Sequence, residues 1–199
     1  MNRLKSYSEK AENILKKAAK VIAANGYKGA SIRKVARELD LNLSTLYYYF
    51  KSKDELLFSI QYQTFSSLLD NLKNNLKREE DPEKKLLTVI ENHLSYFLTH
   101  LNEIRVCTHE LETLTGEYYE KVAQKRREYF KIVLDVLNQI ADKHSIKDKN
   151  LRISTLCLFG TLNWFYTWYD PHKDLKSKEL AEYVNDLFLH GFIGRSGNV

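Results

Sequence analysis

Residues that break helices are scarce in this sequence, with seven glycines and two prolines among 199 residues. Between them run long stretches in which apolar residues recur with a period near 3.6 residues, which is the period of an α-helix. No stretch shows the convincing alternation with a period of two that marks a half-buried strand. The sequence therefore predicts an all-α fold of one or two packed units.

Breaks in this periodicity divide the chain into about nine helices. We expect helices over residues 8–25, a pair within 31–50, and then 53–78, one from Pro82 onward, 103–114, 116–143, 148–169 and 177–191. Residues 1–52 are predicted to form a three-helix head, and residues 53–199 a helical body for ligand binding and dimerisation, without a flexible linker. The tail over 194–199 is expected to be disordered.

The segment over residues 26–57 carries the strongest functional signal. Ser31 is placed to cap a short helix over 32–39, and Asn42 to cap a second one. Two short helices joined by a tight turn form a helix-turn-helix, in which the second helix enters the major groove of DNA by its N-terminal end. Residues 52–55 have the pattern of a capping box, so a further helix should begin directly behind this pair.

The outward face of the second helix offers hydroxyl groups and aromatic rings and no acidic group, which suits an approach to phosphates. With the caps and the neighbouring cations, it supplies the candidate DNA-binding residues. These are Ser31, Arg33, Asn42, Leu43, Ser44, Thr45, Tyr47, Tyr48, Tyr49, Lys51 and Lys53.

Positive charge is concentrated in the same region. Residues 1–53 hold 12 Lys and Arg against 4 Asp and Glu, a net +8, whereas residues 54–199 hold 19 against 22, a net −3, in agreement with the formal +5 of the whole chain. A basic face attracts DNA, and its affinity falls with salt. A lysine-rich solvated surface is the alternative, and the helix-turn-helix pattern makes it the weaker explanation.

The head resembles a known family, the tetracycline-repressor (TetR) regulators, over about the first quarter of the chain. The residues that carry the resemblance are Ile14, Ala18, Ala19, Gly26, Tyr27, and the runs 45–47 and 50–53. Three places depart from the family pattern: Asp40 replaces the usual turn glycine, Ile22 the usual Phe, and Leu43 with Ser44 the common Lys-Gly or Pro-like pairs. Because Asp tolerates positive φ, we expect the turn to survive. Leu43 bears on the operator sequence and not on DNA binding itself.

The body has an uneven distribution of aromatic residues, which crowd the predicted helix over 148–169. The crowd consists of Phe159, Trp164, Phe165, Tyr166, Trp168 and Tyr169. One aromatic face is expected to line a cavity or fill the core, and the other to pack against a partner subunit. Asn163, on the inward side, needs hydrogen-bond partners that a ligand's carbonyl or amide would supply.

Residues 104–130 and 159–171 resemble the ligand domain of TetR-family members that respond to acyl-coenzyme A esters and control fatty-acid, phenylacetate or sterol breakdown. This resemblance implies an apolar tunnel with basic groups at its mouth, and an effector without any further cofactor. The implied lining residues are Phe65, His93, Phe97, Cys107, Leu111, Leu114, Tyr129, Asn163 and Trp164. The implied phosphate contacts are Arg105, Arg126 and Arg127, for which pairing with neighbouring glutamates is the alternative.

The last two predicted helices are expected to form a dimer interface, because they carry apolar faces beyond what one core requires. Two such helices from each chain close a four-helix bundle with twofold symmetry, which in turn predicts a palindromic operator. The candidate interface residues are Gly160, Leu180, Val184, Leu187 and Phe188.

Other classes of protein find little support. The sequence has no nucleophile elbow, phosphate-cradling glycine loop or set of paired carboxylates, so an enzyme is not expected. His93, His100 and His109 fit no metal-binding spacing, so no metal is expected. Cys107 and Cys157 are interpreted as buried apolar residues. Without an 18-residue apolar run or a secretory signal, the protein is expected to be cytoplasmic and to make no membrane contact.

The sequence thus predicts a homodimeric repressor that an acyl-CoA or a similar hydrophobic effector releases from its operator, and that controls genes of lipid and fatty-acid metabolism. In the expected mechanism, the effector tilts the helix over 53–78 and changes the spacing of the two heads. A repressor of a multidrug efflux pump is the alternative; it would sense cationic aromatic drugs through Glu110 or Asp170. A purely architectural DNA-binding protein would not need the aromatic-rich body.

Overall fold

A computed structural model describes residues 2–147, 150–170 and 172–194. Over these ranges the chain forms nine α-helices and no strand, so the expected all-α fold is confirmed. The helices are α1 (Asn2–Gly29), α2 (Ile32–Glu38), α3 (Leu43–Tyr49), α4 (Lys53–Leu76), α5 (Pro82–Thr99), α6 (Leu101–His109), α7 (Gly116–Lys143), α8 (Leu151–Trp168) and α9 (Ser177–Ile193). The expected disordered tail lies, except for Gly194, outside the described residues.

The boundaries that differ from prediction have local causes. α1 begins at Asn2 instead of residue 8 and contains a kink at Gly26, with φ 68° and ψ 160°, where the sequence had placed its end. Only glycine adopts this backbone conformation readily. α6 ends at His109 instead of residue 114, because a turn follows. α8 begins at Leu151, because Asn150 caps it by accepting the N–H of Ile153 at 3.2 Å.

The chain divides into two compact units. The first contains the described residues of 1–66 and 100–125, and the second those of 67–99 and 126–199. Both α4 and α7 contribute residues to each unit. This division follows packing; the functional boundary expected at residue 52 stays a prediction.

The first unit is built around α1, which packs along α6 and also contacts α2. Small residues on one face of α1 allow the close approach, since Ala18 and Ala19 are fully buried. The rest of this core is aliphatic and aromatic and comprises Ile14, Ile22, Ala30, Val35, Ala36, Leu39, Leu46, Phe50, Leu56, Leu57, Ile60, Val106, Leu114 and Val122. The helix-turn-helix therefore rests on a core that α6 and α7 help to complete.

The second unit is built around α5, which packs against α8 and α9. The N-terminus of α5 is capped, because Asp81 Oδ1 accepts the N–H groups of Glu83 at 3.0 Å and Lys84 at 3.2 Å. Leu86 and Ile90 are fully buried on α5. None of the helices, over the ranges described, has the length and apolarity that a membrane span requires.

The two cysteines differ in environment. Cys107 is buried in the first unit, as predicted. Cys157 is exposed on α8, so the prediction of burial was wrong for this residue. The buried stripe of α8 runs through Thr155, Leu158 and Leu162, which turns Cys157 outward.

Candidate DNA-binding and effector sites

The caps of the helix-turn-helix form as the sequence predicts. Ser31 Oγ accepts the N–H of Lys34 at 3.2 Å, and Asn42 Oδ1 accepts the N–H of Thr45 at 2.7 Å. Asn42 Oδ1 also accepts the hydroxyl of Ser44 at 2.8 Å. Each cap satisfies an N–H group that the first turn of a helix leaves without a partner. The side-chain oxygens of Ser31 and Asn42 therefore fix the start of α2 and α3.

The turn between α2 and α3 survives without glycine. Asp40 adopts a φ of 53°, as expected of a residue that tolerates the left-handed region. Its N–H donates to the carbonyl of Arg37 at 3.1 Å, and the N–H of Leu41 donates to the carbonyl of Ala36 at 2.9 Å. These two bonds are those of a Schellman motif, which ends α2 sharply.

α3 is only seven residues long, and Leu46 is its one buried residue. Tyr47 and Tyr48 point outward, with exposed fractions of 42% and 72%. Of the candidate DNA-binding residues, those with exposed side chains are Ser31, Arg33, Asn42, Ser44, Tyr47, Tyr48 and Lys51, and those with half-buried side chains are Leu43, Thr45, Tyr49 and Lys53. The structure thus brings a polar and aromatic surface together on α2, α3 and the start of α4.

The start of α4 is capped in the predicted manner, with one difference. Ser52 Oγ accepts the N–H of Glu55 at 3.0 Å, whereas the Glu55 carboxylate accepts the N–H of Lys51, at 2.7 Å, and not that of Ser52. Lys53 Nζ lies 3.9 Å from the centroid of the Tyr27 ring, a cation–π contact. The backbone around the two flanking lysines is therefore held in place before any DNA is present.

Tyr27 joins α1 to α4 through its hydroxyl group, which donates to the Asp54 carboxylate. Burial raises the pKa of Tyr27, and the hydrogen bond to Asp54 raises this pKa further. The phenol therefore keeps its proton at neutral pH and remains a donor.

Tyr7 is a residue that the sequence analysis missed, because helix α1 was expected to start after it. Its ring stacks on Tyr49, with centroids 4.8 Å apart, and meets Tyr48 edge-on at 5.8 Å. Tyr48 and Tyr49 are themselves perpendicular at 5.3 Å. The signal was present in the spacing, since Tyr7 precedes Ala11 and Ile14 on the same face of α1.

Glu110, just after α6, connects distant parts of the first unit. Its carboxylate accepts the N–H of Tyr27 at 2.7 Å and the hydroxyl of Thr113 at 2.7 Å, and its carbonyl accepts Gln61 Nε2 at 2.8 Å. The kink at Gly26 removes the N–H of Tyr27 from regular helix bonding, and the carboxylate supplies the missing acceptor. Glu110 therefore ties the end of α6 to α1 and α4.

A cluster of polar and aromatic side chains occupies the interior of the second unit around His93, on α5. His93 Nε2 donates to Asn163 Oδ1 at 3.2 Å, and the Tyr129 hydroxyl lies 3.5 Å from His93 Nδ1. The rings of Phe97 and Phe159 lie against the imidazole, at centroid distances of 3.9 and 5.9 Å. We call these five residues the His93 cluster.

The His93 cluster is uncharged at neutral pH. Burial lowers the pKa of His93 to about 3, against an opposing contribution from the hydrogen bond to Asn163. Burial also raises the pKa of Tyr129, so its hydroxyl stays protonated. With Nε2 donating to Asn163, the neutral ring presents Nδ1 as an acceptor toward Tyr129.

Four of the residues implied for the ligand pocket, His93, Phe97, Tyr129 and Asn163, meet in this cluster. Asn163 was expected to need a ligand as its partner, and it already has His93. The remaining lining residues comprise buried Cys107 and Leu114 and half-buried Phe65 and Leu111, all in the first unit, and exposed Trp164. Of the implied phosphate contacts, Arg105 and Arg127 are exposed and Arg126 is half-buried.

The candidate dimer residues divide into two groups. Leu180 and Val184 are buried within the protomer, on the face of α9 that packs against α5, and Phe188 stacks on Phe192 with centroids 5.9 Å apart. Gly160 and Leu187 are exposed. Four more large apolar residues are exposed on the same two helices. Trp168 belongs to the aromatic crowd noted in the sequence, whereas Ile153, Leu156 and Tyr183 were not among the candidates. Their apolar character was visible in the sequence, but the side of the helix that faces α5 was not.

Comparison with known proteins agrees with this geometry. The fatty acid metabolism regulator protein of Bacillus subtilis (strain 168) is 25% identical over 190 residues, covering 94% of this chain and 98% of its own. A TetR-family transcriptional regulator from Bordetella parapertussis 12822 has a crystal structure with a TM-score of 0.84 and 28% identity, over 92% of this chain and 96% of that one. The transcriptional regulator FadR from Bacillus subtilis, in complex with stearoyl-CoA, has a TM-score of 0.73 and 26% identity, over 89% and 97% of the two chains.

Two family profiles match the chain. The one described as bacterial regulatory proteins, tetR family, covers residues 14–60, which contain the helix-turn-helix. The one described as tetracyclin repressor-like, C-terminal domain, covers residues 79–192, more than half of the chain. The chain therefore belongs to the TetR family of bacterial transcriptional regulators, as the resemblance of its head implied.

Proposed function

We propose that this chain is a homodimeric repressor that reads a palindromic operator through α3 and releases it when an acyl-coenzyme A ester binds in the body. The regulated genes would then be those of fatty-acid or lipid metabolism. The observation that carries the effector assignment is the uncharged, aromatic-lined His93 cluster.

The chemistry of this cluster fits a thioester better than an ion. A thioester carbonyl and the amides of pantetheine are neutral hydrogen-bonding groups, which Tyr129 and His93 can bind by rotating away from each other. A carboxylate or an ammonium group would be buried beside neutral partners only, which costs several kcal/mol. The related FadR structure that contains stearoyl-CoA supports the same ligand class.

A sensor of cationic drugs is less well supported. Both acidic residues that it would use are already engaged. The Glu110 carboxylate accepts the Tyr27 N–H and the Thr113 hydroxyl, and Asp170 Oδ2 lies 3.2 Å from Lys173 Nζ. A cation would have to displace these partners before either acid could neutralise it.

Dimerisation is supported by the outer surface of α8 and α9. On α8, Ile153, Leu156, Trp164 and Trp168 follow one another at intervals of three, eight and four residues along the exposed face, with exposed fractions between 45% and 73%. On α9, Leu187 is 66% exposed. An apolar stripe of this kind is costly in water and marks an interface. A second copy presenting the same stripe across a twofold axis would cover it.

The proposal is tested with a duplex that the wild-type protein selects from a random library. Operator binding is measured at one salt concentration during titration with palmitoyl-CoA, coenzyme A, palmitate or tetraphenylphosphonium, a cationic aromatic probe. We expect palmitoyl-CoA alone to dissociate the complex. Release by tetraphenylphosphonium would replace the acyl-CoA assignment with the drug-sensing one, and failure to select any duplex would contradict operator recognition itself.

Variants locate the effector. Tyr129→Phe removes one buried hydroxyl and should raise the Kd for palmitoyl-CoA about 5- to 10-fold, the worth of one hydrogen bond. Tyr119→Phe, which removes an exposed hydroxyl from α7, is the matched control. By linkage, a saturating operator must weaken palmitoyl-CoA binding by the same factor by which the ester weakens operator binding. Equal ester affinity with and without operator would contradict the switch.

A further inference from the structure

The N-terminal turns of α1 make an aromatic contact with the recognition helix that no function assigned above uses. Tyr7 stacks on Tyr49 at 4.8 Å, with ring planes 26° apart, and meets Tyr48 edge-on at 5.8 Å, with planes at 79°. Tyr48 and Tyr49 meet at 5.3 Å and 88°. Each of the three rings therefore touches both of the others in a favourable offset or edge-to-face geometry.

The three rings continue inward to the core. Tyr49 lies 6.4 Å from Phe50, which is 5% exposed. On α1, Tyr7 occupies the same face as Ile14, which is 7% exposed. Tyr7 therefore lies two turns before Ile14 on the core-facing stripe of α1, where it reaches the outside of α3.

The contacts of α3 with the core involve its inner face. The helix has seven residues; Leu46 is buried, Leu43 and Tyr49 pack against the core, and the Asn42 cap fixes the N-terminus. Its C-terminal end is where Tyr48 and Tyr49 lie, so the ring of Tyr7 braces the end of the helix that the cap does not reach. A 72% exposed Tyr48 side chain would otherwise sample several rotamers.

We propose that Tyr7 is a positioning residue for operator recognition, which fixes the orientation of Tyr48 and the C-terminal end of α3 before DNA binds. This inference rests on the proposed role of α3 as the reading helix. Fixing a side chain in advance lowers the entropy lost on binding, so it strengthens the specific complex. Non-specific binding depends on phosphate charges and gains nothing from Tyr7.

The experiment measures the Kd for the duplex selected by the wild-type protein and for a scrambled duplex, over a series of salt concentrations. Tyr7→Ala should weaken binding to the selected duplex about 5- to 20-fold, as the loss of two aromatic pairs implies, and leave the scrambled duplex and the salt slope unchanged. Tyr7→Phe keeps both ring contacts and should bind like the wild type. Tyr119→Ala, at 39% exposure against 40% for Tyr7, is the matched control and should change nothing.

A double-mutant cycle tests the route of the effect. If Tyr7 acts through Tyr48, Tyr7→Ala should cost much less in a Tyr48→Ala background than in the wild type. Additive losses would overturn the inference. So would equal losses for Tyr7→Phe and Tyr7→Ala, because the hydroxyl would then contact DNA directly.

A loss of folding is separated from a loss of positioning by circular dichroism and Tm. If Tyr7→Ala lowers the Tm, Tyr7→Leu replaces it, since leucine covers the same apolar surface without ring stacking. If operator affinity is unchanged in both variants while Tyr47→Ala weakens operator binding, the inference about Tyr7 is overturned and the proposed role of α3 stands. If Tyr47→Ala also changes nothing, the role of α3 is wrong and this inference falls with it.

Discussion

The burial of His93 couples the stability of this fold to pH. Its pKa falls from about 6.5 in an exposed chain to about 3 in the folded protein, because burial disfavours the imidazolium. Above about pH 6.5 the ring is neutral in both states, and its contribution to stability is fully present. As the pH falls from about 6.5 toward 3, only the unfolded chain takes up the proton, and stability is progressively lost.

We therefore expect the Tm to fall on acidification through this window, with a component that His93→Gln removes. One proton accounts for a slope of up to about 1.4 kcal/mol per pH unit. The measurement is thermal unfolding between about pH 7 and 4.5, where many carboxylates still remain ionised. His172→Gln, at an exposed histidine, serves as the control and should keep the wild-type slope. Identical slopes for His93→Gln and the wild type would show that His93 is not the group responsible.

A second prediction for a single residue concerns Lys53. Its ammonium group lies over the Tyr27 ring next to α3 and is half-buried. As a phosphate contact it should affect all DNA sequences alike, so Lys53→Ala should weaken selected and scrambled duplexes by the same factor and reduce the salt slope by about one charge. Lys178→Ala, at an exposed lysine of α9, should alter neither quantity. A loss confined to the selected duplex would instead indicate contact with a base.

At the scale of elements, the kink in α1 depends on one backbone conformation. A Cβ atom at Gly26 would meet only Glu110 Oε1, at an ordinary 3.7 Å, so space is available and the backbone strain at φ 68° decides the outcome. Gly26→Ala should destabilise the protein by about 1–3 kcal/mol and lower the Tm. Gly29→Ala, in the same helix without positive φ, should be neutral or slightly stabilising. Equal Tm values for the two variants would contradict this explanation of the kink.

The elements also show what a sequence can and cannot reveal. The caps at Ser31, Asn42 and Asp81 were predictable, because each bond joins groups two or three residues apart. The hydrogen bond between Tyr27 and Glu110 joins residues 83 positions apart, and the sequence around neither residue indicates that it forms. Three residues that the resemblance implied for the pocket, His93, Tyr129 and Asn163, lie together in the structure, whereas Trp164 is exposed. An aromatic-rich helix does not reveal which of two aromatic faces turns inward.

At the scale of the whole molecule, the apolar stripe on α8 and α9 is the surface on which the proposed dimer depends. Leu187→Glu places a charge in the centre of the proposed interface without touching the protomer core, because the side chain is 66% exposed. We expect this variant to elute as a monomer in light-scattering chromatography and to lose most of its affinity for a palindromic duplex, since one head binds only one half-site. Tyr119→Glu, on α7, should remain a dimer. A dimeric Leu187→Glu protein would place the interface elsewhere.

The hydrogen bond from Tyr27 to Glu110 also has a consequence for how the protein is made. The first unit draws on residues 1–66 and again on 100–125, and its core includes Val106, Leu114 and Val122. A ribosome that adds about 5–20 residues per second reaches that second part several seconds after it has finished the helix-turn-helix. During that interval the nascent chain carries a reading head whose core is incomplete. We therefore expect the chain to become competent for DNA binding late in synthesis, after much of the body over 53–199 has been translated.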